Sequence, residues 1–244
     1  MATPGAVSAG GRAGAMAARV ADTARRAGVS EVGVRSIVAA LDAAMRPRSE
    51  RLDNDHHPDY LHPARTVLIL LEDAGVVDPA TLSAAALTET LRPELAAEVP
   101  KGPRAGSHAQ PVAEATATSR DRPAREAGAE PDGSGKHADT SLLAPGTLAP
   151  GTLDILAEVP CPRTDPDTLL ERLVTAPESA RLVALAERLD HARHLHLGDR
   201  AAWAGLHRET CEIYLPVAER THDVLARRLR WWCGTFAERF LGTG

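Results

Sequence analysis

The sequence holds ten histidines, and a few of them sit where imidazole could do chemistry. His191 and His194 lie three apart in HARHLH, so on a helix they share a face at a spacing that can hold a metal. The same spacing has an electrostatic reading. With His196 they crowd the end of a helix that stops at Gly198, where exposed carbonyls favour cations. His56 and His57 fall in a polar stretch, RPRSERLDNDHHPDYL (46–61), where a surface role is expected. Arg46, Arg48 and Arg51 belong to that stretch, and their guanidinium groups suit either a phosphate or solvent. Cys161, Cys211 and Cys233 are far apart and form no C-x-x-C pair, so no cysteine zinc site is expected. An odd count of distant cysteines fits reduced thiols in a cytosol.

Helices must position these groups. Apolar residues make up 43 % of the chain but aromatics only 3 %, an Ala/Leu/Val palette that favours helix over strand. No segment alternates as a half-buried strand would. Residues 1–12 lack periodicity and read as a disordered tail, with helical pattern beginning at Ala13 and ending at Gly28. Ser30 caps a second helix that Pro47 is expected to stop. His62-Pro63 opens a third, apolar nearly all round from Val67 to Leu71, hence central, and ended by Gly75. Asp78-Pro79 starts an Ala-rich fourth. Residues 100–151 are rich in Pro, Gly, Ser and charge, with LAPGT repeated at 143–147 and 148–152, and read as a disordered insertion. Beyond it, Asp165-Pro166 caps a helix, a long helix starts at Ser179, and residues 200–221 form another, bent at Pro216. A last helix spans Asp223 to Leu241. The pattern predicts an all-α fold of about eight helices. The helical domain is divided into 13–99 and 152–244 around the insertion.

A net charge of −5 and a pI near 6.1 argue against general nucleic-acid binding but allow a local basic pocket. The N-terminus has no basic start followed by an apolar core, and the longest apolar run, Thr66 to Leu71, is too short to span a bilayer. A cytoplasmic protein is expected.

Three pieces point to a family. They are YLHPARTVLILLEDAG (60–75), DPATLSAAALTETL (78–91), and LVALAERLDHARHLH followed by HRETCEIYLPVAERT within 182–221. In order and local spacing they resemble the HD-type hydrolase domain of RelA/SpoT proteins. There a Y-I-x-H-P helix, a helix ending A-A-L-L-H-D-T-x-E-D, a K-L-A-D-R-L-x-N helix and an E-T-x-E-I-Y-x-P-L-A-x-R segment recur. The likeness covers roughly residues 30–92 and 152–235 by pattern matching. It implies an HD-domain-like bundle, a bound divalent ion such as manganese, and hydrolysis of the 3′ pyrophosphate of guanosine polyphosphates in the stringent response.

The signature is altered here. The first His is kept as His62, and the His-Asp pair reads Thr88-Glu89. The activating Glu-Asp pair reads Arg92-Pro93, and the distant Asp is Glu187. The resemblance thus leaves His62, Glu89 and Glu187 as the metal set. Arg48, Arg51, Thr88, Arg92, His191 and His194 would line the nucleotide pocket, and His191 could replace the missing imidazole. Glu209, Glu212, Tyr214 and Arg220 match a structural stretch of the family, and Trp203, Trp231 and Trp232 read as core or helix contacts. Three outcomes stay open: a pseudoenzyme without metal, in which Glu89 or Glu187 pairs with Arg92 or Arg188; an active pyrophosphohydrolase; and a non-catalytic module that senses a nucleotide or binds protein. No catalytic residue is assigned, and the sequence leaves the oligomeric state undetermined.

Overall fold

Polar caps and prolines set where the helices begin. The computed structural model describes residues 9–49, 59–91, 146–162, 164–197 and 199–242. Ser30 Oγ accepts from the Gly33 N–H at the start of α2 (Glu31–Ser49). Asp78 accepts from the Thr81 N–H and hydroxyl at 2.9 and 2.6 Å and so caps α4 (Pro79–Leu91). Asp165 accepts from the Thr168 N–H and opens α6 (Pro166–Thr175). In each case a side-chain oxygen satisfies an N–H that the helix itself leaves bare.

The remaining elements are α1 (Ala9–Arg26), α3 (His62–Leu68), α5 (Thr152–Glu158), α7 (Glu178–His194), α8 (Arg200–Glu209), α9 (Leu215–Thr221) and α10 (Asp223–Phe236). Three π-helical turns interrupt them: Ile69–Asp73 extends α3, Thr210–Tyr214 joins α8 to α9, and Ala237–Leu241 extends α10. Because α8 and α9 run on through their π turn, the ten segments make nine continuous rods among the described residues, one more than the pattern suggested. The fold is all-α, and among the described residues there is no strand. None of the described helices is long and apolar enough to cross a membrane.

Pro216 explains the π turn before it. A proline removes one backbone N–H and its ring presses on the carbonyl four residues earlier. The turn at Thr210–Tyr214 loosens that stretch, so the rod continues through Pro216 at the start of α9.

Three boundaries differ from expectation. Helix α1 begins at Ala9, inside the expected 1–12 tail, where Ala13 of the next turn packs into the core. Helix α2 runs past Pro47 to Ser49, whose hydroxyl donates to the Arg46 carbonyl at 2.9 Å. A proline in the last turn costs only one intrahelical bond, so the helix survives it, and this added turn carries Arg48. Of the expected insertion, residues 100–145 lie outside the described residues. Residues 146–151 form a turn that lays Leu148 on the core and leads, through Gly151 at φ 83°, into α5.

Both halves of the chain share one core. Leu41, Leu70, Leu82 and Leu87 pack with Leu173, Leu185, Leu189 and Leu225, all buried. Helix α4 lies at its centre, touching α2, α3, α5 and α7. Its run of alanines keeps those neighbours close. A smaller aromatic cluster of Trp232, Phe236, Trp203 and Phe240 binds α8 to the C-terminal rod. Trp203 and Trp232 therefore sit in helix contacts as expected, whereas Trp231 is exposed, because α10 turns that neighbour of Trp232 outward.

The α2–α4 approach can be tested at Gly33. A Cβ there would meet the Pro79 ring at 2.5 Å and Val29 at 2.9 Å. Overpacking costs about 1–3 kcal/mol, against a helix-propensity gain of about 1 kcal/mol. Gly33→Ala should therefore lower unfolding stability by on the order of 1 kcal/mol in urea titrations. An unchanged or higher midpoint would show that the two helices are not held at this distance.

Candidate metal centre

Three helices converge on one buried imidazole. His62 is the first residue of α3 and only 3 % exposed. Its Nδ1 lies 2.6 Å from Asp190 Oδ2 and its Nε2 lies 2.7 Å from Glu187 Oε2, both on α7. Glu89, near the end of α4, places Oε1 3.5 Å from the same Nε2. His191 follows Glu187 by four residues, so both side chains leave the same face of α7. The His191 ring stacks on His62 with centroids 4.5 Å apart and donates from Nε2 to Glu89 Oε1 at 3.0 Å. Arg48, on the turn past Pro47, pairs with the other oxygen of Glu89.

Charge is balanced within this cluster. Burial alone disfavours a charged imidazole. The carboxylates of Glu187 and Glu89 and the hydrogen bonds to Asp190 and Glu187 outweigh it, holding His62 well above the usual histidine value. Burial pushes Glu89 up, but the charge on His62, the His191 hydrogen bond and Arg48 prevail and hold it well below the carboxylate range. Asp190 behaves likewise: burial is overcome by His62 and by Arg65, whose Nε donates at 2.9 and 3.0 Å. Protonated His62, Arg48 and Arg65 thus face Glu89, Glu187 and Asp190.

The donor set fits a divalent cation. One donor atom each from His62, Glu89, Glu187 and His191 lies within 4.8 Å of all the others. Imidazole and carboxylate ligands about 2.1 Å from an ion would sit roughly 3.0–3.4 Å apart, and the contacts here run from 2.7 to 3.5 Å. Glu187 Oε1 is buried with no hydrogen-bond partner among the described residues, a costly state for a carboxylate oxygen unless a cation meets it. Asp190 also does for His62 what outer carboxylates do for metal-bound imidazoles: it accepts the hydrogen bond from Nδ1–H and leaves Nε2 towards the ligand set.

A small cleft of about 20 Å³, room for about one water, opens beside the cluster. Glu187 and His191 face it, with Pro160 and Pro162 from the α5–α6 connection on one side and Arg188 and Tyr214 on the other. Arg188 is buried, pairs with Glu209 and stacks its guanidinium 4.2 Å from the centre of the Tyr214 ring. The ETCEIY stretch therefore fixes a cation in the cleft wall as well as serving as scaffold.

The sequence-predicted residues divide clearly. His62, Glu89 and Glu187 come together, and His191 joins them as the second imidazole. Arg48 is at the cluster. Thr88 lines the cleft but turns its hydroxyl to the Ala84 carbonyl at 2.9 Å, so it offers no ligand. His194 misses the pocket. Its ring is 2.8 Å from the Asp190 carbonyl because an i, i+4 contact along α7 captures it. Arg51 and Arg92 lie outside the described residues. The expected pairing of a site glutamate with Arg188 gives way to Arg188–Glu209, since the π-turn rod brings Glu209 against the Arg188 guanidinium.

Asp190 and Arg65 carry no weight in the sequence reading, although Asp190 sits three residues after Glu187, at a spacing that brings it to the same side of the helix. The thiols were judged by their separation along the chain, yet Cys211 and Cys233 meet beside His207. No protein-family model matches the chain, and no curated protein or solved structure matches it at a significant level.

The cluster should leave a signature in metal-free protein. Lowered carboxyl values at Glu89 and Asp190 stabilise the fold above about pH 4, where these groups ionise in the unfolded chain. That contribution is lost as pH falls further. The raised value at His62 stabilises below about pH 6.5 and is lost as pH climbs through it. Unfolding stability should therefore peak between these limits. Asp190→Asn should lower that peak by on the order of 3 kcal/mol, because it leaves a buried cation short of its partner. A flat stability–pH profile with no effect of Asp190→Asn would contradict the cluster.

Proposed function

We propose that the chain is a degenerate HD-type relative of the guanosine polyphosphate pyrophosphohydrolases, one that keeps a divalent-metal site and has lost most of its hydrolytic power. The observation that carries this reading is the unpartnered, buried Glu187 Oε1 amid His62, Glu89 and His191. His62, Glu89, Glu187 and His191 would hold the ion, manganese or a similar cation in keeping with imidazole and carboxylate donors. Bound there, such an ion supplies Lewis acidity towards a phosphoryl oxygen and towards water.

The chain's own residues supply the rest. Arg188, held by Glu209 and Tyr214, presents a fixed cation to a phosphate in the cleft. Asp190 and Arg65 orient His62. The weakness lies with the nucleophile. Arg92-Pro93 stands where the resembled pattern has its activating acids, and Arg48 ties up one oxygen of Glu89. Loss of general acid–base assistance costs about 10²–10⁴-fold in rate. The Arg48–Glu89 pair also favours a second reading, a non-catalytic module that senses the nucleotide in the stringent response. A cytoplasmic location suits either.

Calorimetric titration of metal-free full-length protein with manganese tests the site. Binding at one site is expected, weakened in His191→Ala and lost in His62→Ala. The proton on His62 must leave for the metal, so affinity should rise about tenfold per pH unit below its raised value. Manganese-loaded protein should release pyrophosphate from guanosine tetraphosphate slowly, and His62→Ala should stop it. Absence of manganese binding removes the proposal, while binding without any turnover selects the sensing module.

A further inference from the structure

A second cluster of ligand-type side chains lies away from the first. His207 and Cys211 are four residues apart on the rod formed by α8 and the following π turn, so they share a face. Cys233, buried on α10, faces them across the helix contact. One donor atom from each of the three lies within 4.8 Å of the others. The three come from two rods that sequence separation alone would not join.

The imidazole is oriented. His207 Nε2 donates to the Cys233 carbonyl at 2.8 Å, and Cys211 Sγ lies beside the same ring, 3.5 Å from Nε2 and 3.9 Å from Nδ1. Spacing agrees as well. A thiolate about 2.3 Å and an imidazole about 2.1 Å from a tetrahedral ion lie roughly 3.6 Å apart, and the two ring nitrogens of His207 lie 3.9 and 3.5 Å from Cys211 Sγ. Trp232 and Phe236 flank the ring at 5.5 and 5.9 Å.

We propose that His207, Cys211 and Cys233 form a second metal site of Cys₂His type, which takes a thiophilic divalent cation of the zinc class. Two sulfurs and one imidazole select such an ion over manganese or magnesium, so the two centres differ in chemistry. The site ties the π turn to α10. The same rod carries Glu209 and Tyr214, which fix Arg188 in the cleft, so the ion would brace the cleft wall from behind.

The test uses reduced, metal-free full-length protein whose thiol titration counts all three cysteines. Addition of cobalt(II) should give thiolate-to-cobalt charge-transfer absorption at one equivalent, and zinc should bleach it. Cys211→Ser and Cys233→Ser should each lose the band, whereas Cys161→Ser should keep it. In the unsubstituted protein, zinc should slow alkylation of Cys211 and Cys233 but not of Cys161, read by peptide mass spectrometry; this measurement needs no variant to fold. Absence of the band in fully reduced protein, its survival in both serine variants, or equal alkylation rates with zinc present would overturn the site.

Discussion

A single buried imidazole holds the two halves of the chain in register. His62 opens α3 and reaches α7, 125 residues further on, through Glu187 and 128 further on through Asp190. A charged group so deep in a helical core survives only if acids meet it on both ring nitrogens. Once they do, α3 and α7 cannot slide or rotate past each other without breaking a charge-assisted hydrogen bond. The Ala-rich α4 then fits between them and brings Glu89 to the remaining side of the ring.

Around that bond the site is built in shells of alternating charge. Carboxylates face His62, and Arg48 and Arg65 face the carboxylates from outside. Protonated His62 occupies the centre in the way a cation would, so a metal bound as proposed would compete with that proton for the same carboxylates. One carboxylate oxygen, Glu187 Oε1, is left over in this arrangement. That oxygen is what the proposed metal site rests on.

Departures from regular helix also serve the sites. The turn of α2 beyond Pro47 delivers Arg48 to Glu89, and the π turn before Pro216 carries Cys211 and Tyr214. A π turn shifts the register of a helix face by about one residue, and π turns gather at functional positions for that reason. Here one such turn contributes to the cleft through Tyr214 and to the thiol cluster through Cys211.

The sequence by itself determined the helical class, most helix starts and the nomination of His62, Glu89 and Glu187. Periodicity, caps such as Asp78 and Asp165, and prolines act within a few residues, and local chemistry is written in local order. Tertiary structure alone decided that His191 rather than His194 joins the cluster. Three residues of separation rotate a helical side chain far enough to change its neighbours, and only the packing of α7 on α3 shows which direction faces His62. It also decided that Arg188 serves Glu209, and that Cys211 and Cys233 meet. Those contacts depend on how rods cross, and crossing is set by the shapes of whole faces, which no short stretch of chain contains.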